Sequence, residues 1–181
     1  EAITHAGDES GGLHCIAAGQ MVFQTSLGGQ LVTSFHGYPG TWWGHAPLMG
    51  IGRIGTTLAR TDGVVGILPH AALKARLAAH PTDWEQVSRG LSDIFIQAAG
   101  AHADTLIEQS VNRLAALLLR LGGNRHRLFP VQAPESFACT QDELARAAGL
   151  SRNTAGLHLR ELQARGLIRI AYGEISLTDP R

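Results

Sequence analysis

The sequence predicts an α+β chain in three parts: an all-β N-terminal half, a long helix, and a C-terminal winged helix-turn-helix. Three observations predict it. Short apolar runs broken by glycine fill residues 6–68 and leave no room for helices between them. From about Thr82 to near Leu121 the apolar residues recur at helical spacing. Residues 140–165 then read as two short helices around a tight turn, followed by two alternating strands.

In the N-terminal half the expected strands are Leu13–Ala17, Gln20–Thr25, Gln30–Phe35, a piece at Leu58, and Val64–Leu68. Gly28-Gly29, Tyr38-Pro39-Gly40 and Asp62-Gly63 serve as turns, because glycine accepts the positive φ that tight hairpins demand. Strands joined this closely make a roll or a sandwich. Cys15 and Cys139 are too few and too far apart for a disulfide framework or a zinc cluster, and both are expected to be buried thiols. The nine histidines, His14, His36 and His45 among them, lack the paired spacing of a metal site, so no metal is expected.

Pro69 to Ala79 reads as a short helix with Leu73 and Leu77 inward. The long helix that follows carries Trp84, Val87, Leu91, Ile94, Ala98, Ala101 and Thr105 at heptad-like positions, a seam for a second copy of the chain. Ala98, Ala99, Gly100 and Ala101 are small enough to let a partner helix approach. A helix packed on its own domain is the alternative. Gln109-Ser110 is the expected hinge, with Ser110 capping a helix that buries Leu114, Leu117, Leu118 and Leu121 and stops at Gly122-Gly123.

Thr140 and Glu143 form a capping box, so a helix starts there, and Gly149 ends it where a side chain would be disfavoured. Ser151 caps the next helix. Ala155, Leu159 and Leu162 are its expected inner face; Arg152, Asn153, Gly156 and Arg160 point outward. An arginine and an asparagine in the first turn suit the DNA major groove, where arginine grips guanine and asparagine brackets adenine. Leu167–Ala171 and Glu174–Leu177 around Tyr172-Gly173 supply the wing. An ordinary helical hairpin would share the helix spacing but not the wing.

From Thr140 to Ile168 the chain carries T-x-x-E-L-A-x-x-x-G-x-S-R-x-T-x-x-x-x-L-x-x-L-x-x-x-G-L-I, and it thereby resembles the Crp/Fnr superfamily of bacterial transcription regulators. The resemblance implies a cyclic-nucleotide-binding-like β-roll sensor over 1–81, a dimerisation helix over 82–109 and a winged DNA-binding domain over 110–181. It also implies that an N-terminal helix and first strands precede Glu1. Ser151, Arg152, Asn153, Thr154, His158 and Arg160 are the DNA-binding candidates, Arg152 and Asn153 for bases and Ser151, Thr154 and Arg160 for phosphates. Where the family often has arginine, Leu157 stands, with His158 as the nearest polar neighbour.

By the same resemblance the effector pocket falls on Gly44, His45, Arg53, Thr56, Ala98 and Ala99. His45 replaces the family's ribose-binding glutamate, Arg53 is displaced from the phosphate-binding position, and Ala98 and Ala99 replace the hydroxyls that touch the base. A cyclic nucleotide is therefore disfavoured, and the open alternatives are a different small effector or no ligand. The cofactor stays unassigned.

Formal net charge is zero, but residues 1–109 hold five Lys/Arg against nine Asp/Glu and residues 110–181 hold ten against six. A basic C-terminal part on an acidic N-terminal part fits a nucleic-acid reader with a separate regulatory module. No apolar run is long enough for a membrane span and no leader opens the chain, so a cytoplasmic protein is expected. No nucleophile–base pair marks an enzyme. The expected function is a homodimeric, sequence-specific regulator on a palindromic operator, with RNA polymerase as a further partner. The alternative is an effector-binding or protein-interaction module without specific DNA binding.

Overall fold

Alternation and glycine turns give two antiparallel sheets in the N-terminal half. The strands are β1 (Ala2–Thr4), β2 (Gly12–Ala18), β3 (Met21–Leu27), β4 (Gln30–Gly37), β5 (Trp42–Trp43), β6 (Thr56–Ala59) and β7 (Val64–Pro69), with a short helix α1 (His45–Leu48) between β5 and β6. One sheet runs β1-β6-β3-β4 and the other β5-β2-β7. The computed structural model describes residues 1–9, 11–27, 30–129 and 131–178; the Gly28-Gly29 turn expected between β3 and β4 lies outside them. The chain divides into two compact units, Glu1–Ile96 with Leu128–Gln132 and Gln97–Arg127 with Ala133–Arg181.

In the first unit, α2 (His70–Ala79) turns Leu73 and Leu77 inward as its spacing predicts, and they join Leu13, Leu48 and Val87 in one core cluster. Ile16, Met21 and Trp43 form a second. The long helix is interrupted. α3 spans Trp84–Thr105, residues 106–109 are not helical, and α4 spans Ser110–Leu121.

The expected seam on α3 mixes two faces. Val87 is buried and Ile94 half-buried in the first unit, whereas Trp84 is 47% exposed; Phe95, outside the expected seam, is 70% exposed. A straight helix drifts against a seven-residue repeat, so Trp84 at the start of the seam faces outward while Val87 and Ile94 face the core. Gly100 also differs from expectation. The His126 ring of the same chain occupies its space, and a Cβ there would run into that ring. Gly100 accommodates this chain's own loop, not a partner helix.

In the second unit α4 buries Leu114, Leu117, Leu118 and Leu121, as its pattern predicts. Ser110 does not cap it: its Oγ lies 2.7 Å from His158 Nε2 instead. Three helices and a three-stranded sheet complete the unit: α4 with α5 (Gln141–Ala147) and α6 (Arg152–Ala164), and β8 (Phe137–Ala138), β9 (Ile168–Ala171) and β10 (Glu174–Leu177) in the order β8-β10-β9. The two-residue β8 was not legible in the sequence. Leu144, Leu159, Leu162, Phe137, Ile168 and Ile175 are buried in this unit.

Candidate nucleic-acid interface

Local chemistry sets the helix-turn-helix. Thr140 Oγ1 accepts the Glu143 amide at 3.2 Å and the Thr140 amide donates to Glu143 Oε2 at 2.8 Å, so two orphan donors of the first turn are satisfied reciprocally. Gly149 turns the chain at φ 62°, and the Leu150 amide donates to Ala145 O at 2.8 Å. Arg113 fastens α4 to this corner: its Nε donates to Ala148 O at 2.8 Å and its Nη1 to Ile107 O at 2.7 Å. Ser151 Oγ then accepts the Thr154 amide at 3.1 Å and starts α6.

α6 buries Ala155, Leu159 and Leu162 and leaves Ser151, Arg152, Asn153, Leu157 and Arg160 exposed. Two outward expectations change. Gly156 is buried, because α6 crosses α5 there and a Cβ would sit 3.1 Å from Gln141 Nε2. His158 is turned to α4, its Nε2 on Ser110 and its Nδ1 3.7 Å from Glu161, so the ring is committed within the unit and withdrawn from the outer face. Thr154 is half-buried, its hydroxyl 2.8 Å from that of Ser151.

Arg152 has a partner that the sequence reading missed: its Nε lies 3.4 Å from Asp142 Oδ1 at the start of α5, with both side chains exposed. Such a surface pair contributes little and is easily exchanged for another anion or acceptor. Arg160 has no ion-pair partner among the described residues. Leu157 is 59% exposed in the middle of the face. In the wing, Tyr172 at the hairpin tip is fully exposed and Arg169 on β9 is exposed beside it. The two-residue Tyr172-Gly173 turn was the signal for the first of these.

The effector-pocket candidates do not form one group. Gly44, His45 and Arg53 line a cavity of about 250 Å³ in the first unit. Thr56 lies outside its wall, and its hydroxyl accepts the Ala6 amide at 3.1 Å. Ala98 and Ala99 are exposed on the part of α3 that belongs to the second unit. Among the described residues no cluster of His, Cys, Asp or Glu is arranged to hold a metal ion, and no helix is long and apolar enough to cross a membrane.

Burial, with a smaller push from the His70 charge, lowers His45 to about 4, so its ring is neutral at pH 7. The unfolded chain binds this proton at about pH 6.5. Between those values the unfolded state holds more protons, so stability should fall as pH drops from about 6.5 to 4 and level off below. The loss should approach about 3 kcal/mol. Urea midpoints of the wild type and His45→Gln across this window test it; equal pH slopes would show that His45 is not the titrating group.

The chain can now be set beside known proteins. Residues 112–181 match the family model of the Crp-like helix-turn-helix domain. The transcriptional regulator SdrP of Thermus thermophilus is 33% identical over 149 residues, which cover 78% of this chain and 66% of that protein; the chain thus spans just under two thirds of the relative's length. A second transcriptional regulator from Thermus thermophilus, of the CRP family, superposes with a TM-score of 0.66 at 25% identity, covering 99% of this chain and 89% of that one. FixK2 from Bradyrhizobium japonicum shares the fold at 15% identity, with a TM-score of 0.77 over 99% of this chain and 89% of its own. With the helix-turn-helix and its wing in place, residues 112–181 form a Crp-like helix-turn-helix domain, and the chain along its length is similar to transcriptional regulators of the Crp/Fnr family.

Proposed function

We propose that this chain binds double-stranded DNA sequence-specifically as a homodimer, with α6 in the major groove of each half-site. The observation that carries the reading is the outer face of α6. Arg152 and Asn153 stand exposed in its first turn, where a recognition helix meets base edges, and Arg160 follows two turns on. Arg152 exchanges Asp142 for guanine, Asn153 brackets adenine, and Leu157 offers an apolar surface to a thymine methyl group. Ser151, Thr154 and Arg160 hold phosphates and set the register.

A second copy is supported by α3. Trp84 and Phe95 lie eleven residues apart, which is close to three full turns, and both are exposed on one face of the helix. Apolar side chains of this size on an outer helix face suit a two-fold partner helix. Two recognition helices related by a dyad address half-sites about one helical turn apart, so the operator is close to palindromic. The roles divide along the chain: the roll of residues 1–81 senses, residues 82–109 dimerise, and 110–181 bind DNA, with the cytoplasm as the place of action.

Arg152→Ala should cost about 1–3 kcal/mol and relax the preference at one base position, whereas Arg160→Ala should weaken all sequences alike and flatten the salt dependence by about one unit of slope. Competition binding against a panel of single-base operator variants measures both. Equal loss on every sequence for both variants would remove Arg152 from base reading.

A further inference from the structure

The break between α3 and α4 is fastened to the helix-turn-helix at two points, both within the second unit. Arg113 makes the first: its Nη1 donates to the carbonyl of Ile107, inside the break, and its Nε to that of Ala148, at the end of α5. The second is the bond between Ser110 Oγ and His158 Nε2 at 2.7 Å. It joins the first residue of α4 to the middle of α6, 48 positions further along the chain. A single attachment leaves the break free to pivot about it; a second removes that freedom.

Each partner forgoes another use for this bond. A serine at a helix start is suited to capping, yet no side chain caps α4. His158 follows Leu157 on the recognition helix, but its side chain is 20% exposed where Leu157 is 59% exposed. Glu161 Oε2 stands 3.7 Å from His158 Nδ1. That carboxylate favours the ring proton on Nδ1, so Nε2 accepts and the Ser110 hydroxyl donates.

The place of the bond decides what it does. α4 packs on α6; apolar packing is non-directional, whereas a hydrogen bond weakens steeply when its donor swings out of line. The Ser110–His158 bond therefore fixes the angle of α6 at the point where α4 leaves the break. We propose that His158 is a positioning residue for DNA reading: through Ser110 it holds α6 at one angle to the end of α3, and so makes the paired chain selective for one spacing between half-sites. The proposal rests on the α3-paired, DNA-binding reading above. In such a pair the two recognition helices are joined through α3 and the break that follows it, so slack at the break becomes tolerance in spacing. One added base pair moves a half-site by about 3.4 Å and turns it by about a tenth of a turn.

Binding of the full chain to an operator selected from random duplex DNA, and to derivatives with one base pair added or removed at its centre, tests the proposal. The wild type should bind the derivatives about 10-fold more weakly or worse. His158→Phe, which keeps a ring of similar bulk, and Ser110→Ala, which removes one oxygen, should each shrink that penalty to about 3-fold or less, with base preference and melting temperature unchanged. Ser110→Thr retains the hydroxyl and should keep the wild-type profile. The double variant Ser110→Ala with His158→Phe should be no more tolerant than either single one, since both break the same bond. Variants that keep the wild-type spacing penalty, or that weaken every spacing alike with a lowered melting temperature, would overturn the proposal; Ser110→Ala decides even if His158→Phe unfolds. A wild type that selects no operator would overturn the DNA reading, and one that binds all spacings equally would overturn the paired arrangement, in each case taking the proposal with it. A wild type with a sharp spacing preference leaves the variants to judge His158 alone.

Discussion

Replacing Asp104 by alanine is expected to destabilise the second unit by about 3–5 kcal/mol, the usual consequence of removing one partner from a buried ion pair. The carboxylate is almost fully buried and answers three donors: Arg120 Nε at 3.3 Å on one oxygen, Arg125 Nε at 3.0 Å and His126 Nε2 at 3.1 Å on the other. Arg120 is itself buried, so the alanine takes a carboxylate away from beside a buried guanidinium. The same node holds His126 at φ 56°, an unusual conformation for a side-chain-bearing residue, with its ring over Gly100. Burial alone would raise the Asp104 carboxyl, but hydrogen bonds from His126 and Arg125 outweigh it and hold the group below its ordinary value. A carboxyl lowered in this way contributes stability above its unfolded pKa near 4 and loses it as pH falls through the folded value. The effect should therefore be fully present at pH 7 and shrink under strong acid. Urea denaturation of Asp104→Ala at pH 7 measures it; a loss under about 1 kcal/mol would mean that the network is not a structural node. Asp104→Leu with Arg120→Met should recover part of the loss, because it replaces the two most deeply buried charges of the network by apolar groups.

On the proposed pairing through α3, Phe95→Glu is expected to dissociate the dimer and to lower operator affinity by about 10²-fold or more. Phe95 is largely exposed within the chain, so the folded protomer loses little when it is changed. Between two copies the same substitution places carboxylates face to face in an apolar seam. Each recognition helix then binds as a separate ligand, and the gain from joining two half-site contacts, on the order of 10²–10⁴, disappears. Sedimentation of the variant should give the protomer mass with an unchanged melting temperature at low concentration. A variant that stays dimeric and binds DNA normally would place the interface elsewhere.

What the sequence revealed was local, and what it concealed was contact across long separations. The capping box at Thr140 and Glu143, the turn at Gly149 and the caps of α6 are written within three or four residues, and the structure has them where the pattern puts them. Strand alternation located β2, β3, β4 and β7 to within about two residues, the usual uncertainty at element ends. β5 and β8 have two residues each and hold no period to detect. The helical spacing of α3 was legible, but a heptad count cannot tell which positions the helix's own chain covers: Val87 is buried, Trp84 is exposed, and Phe95 lies outside the count. Gly100 was read by its small size and Gly156 by its place on the outer side of the helix. Their meaning lies in His126 and Gln141, which come 26 residues after the one and 15 before the other. His158 and Arg152 were both read as free, and each has a partner, Ser110 and Asp142, that only folding supplies. The cavity shows the same limit. His45 and Arg53 were singled out, but Thr4, Trp43 and Phe23 come from other strands of the first unit and gave no joint signal.

Selection of bound sequences from random duplex DNA by the purified full chain tests whether two copies of α6 read a symmetric DNA site. The expected result is a two-fold symmetric consensus with half-site centres about 10 base pairs apart, with guanine and adenine at the positions facing Arg152 and Asn153 and a shift at the guanine when Arg152→Ala is used. If no sequence is enriched over the starting pool, or if the enriched sites have no dyad, the claim that a symmetric pair of α6 helices reads DNA is contradicted.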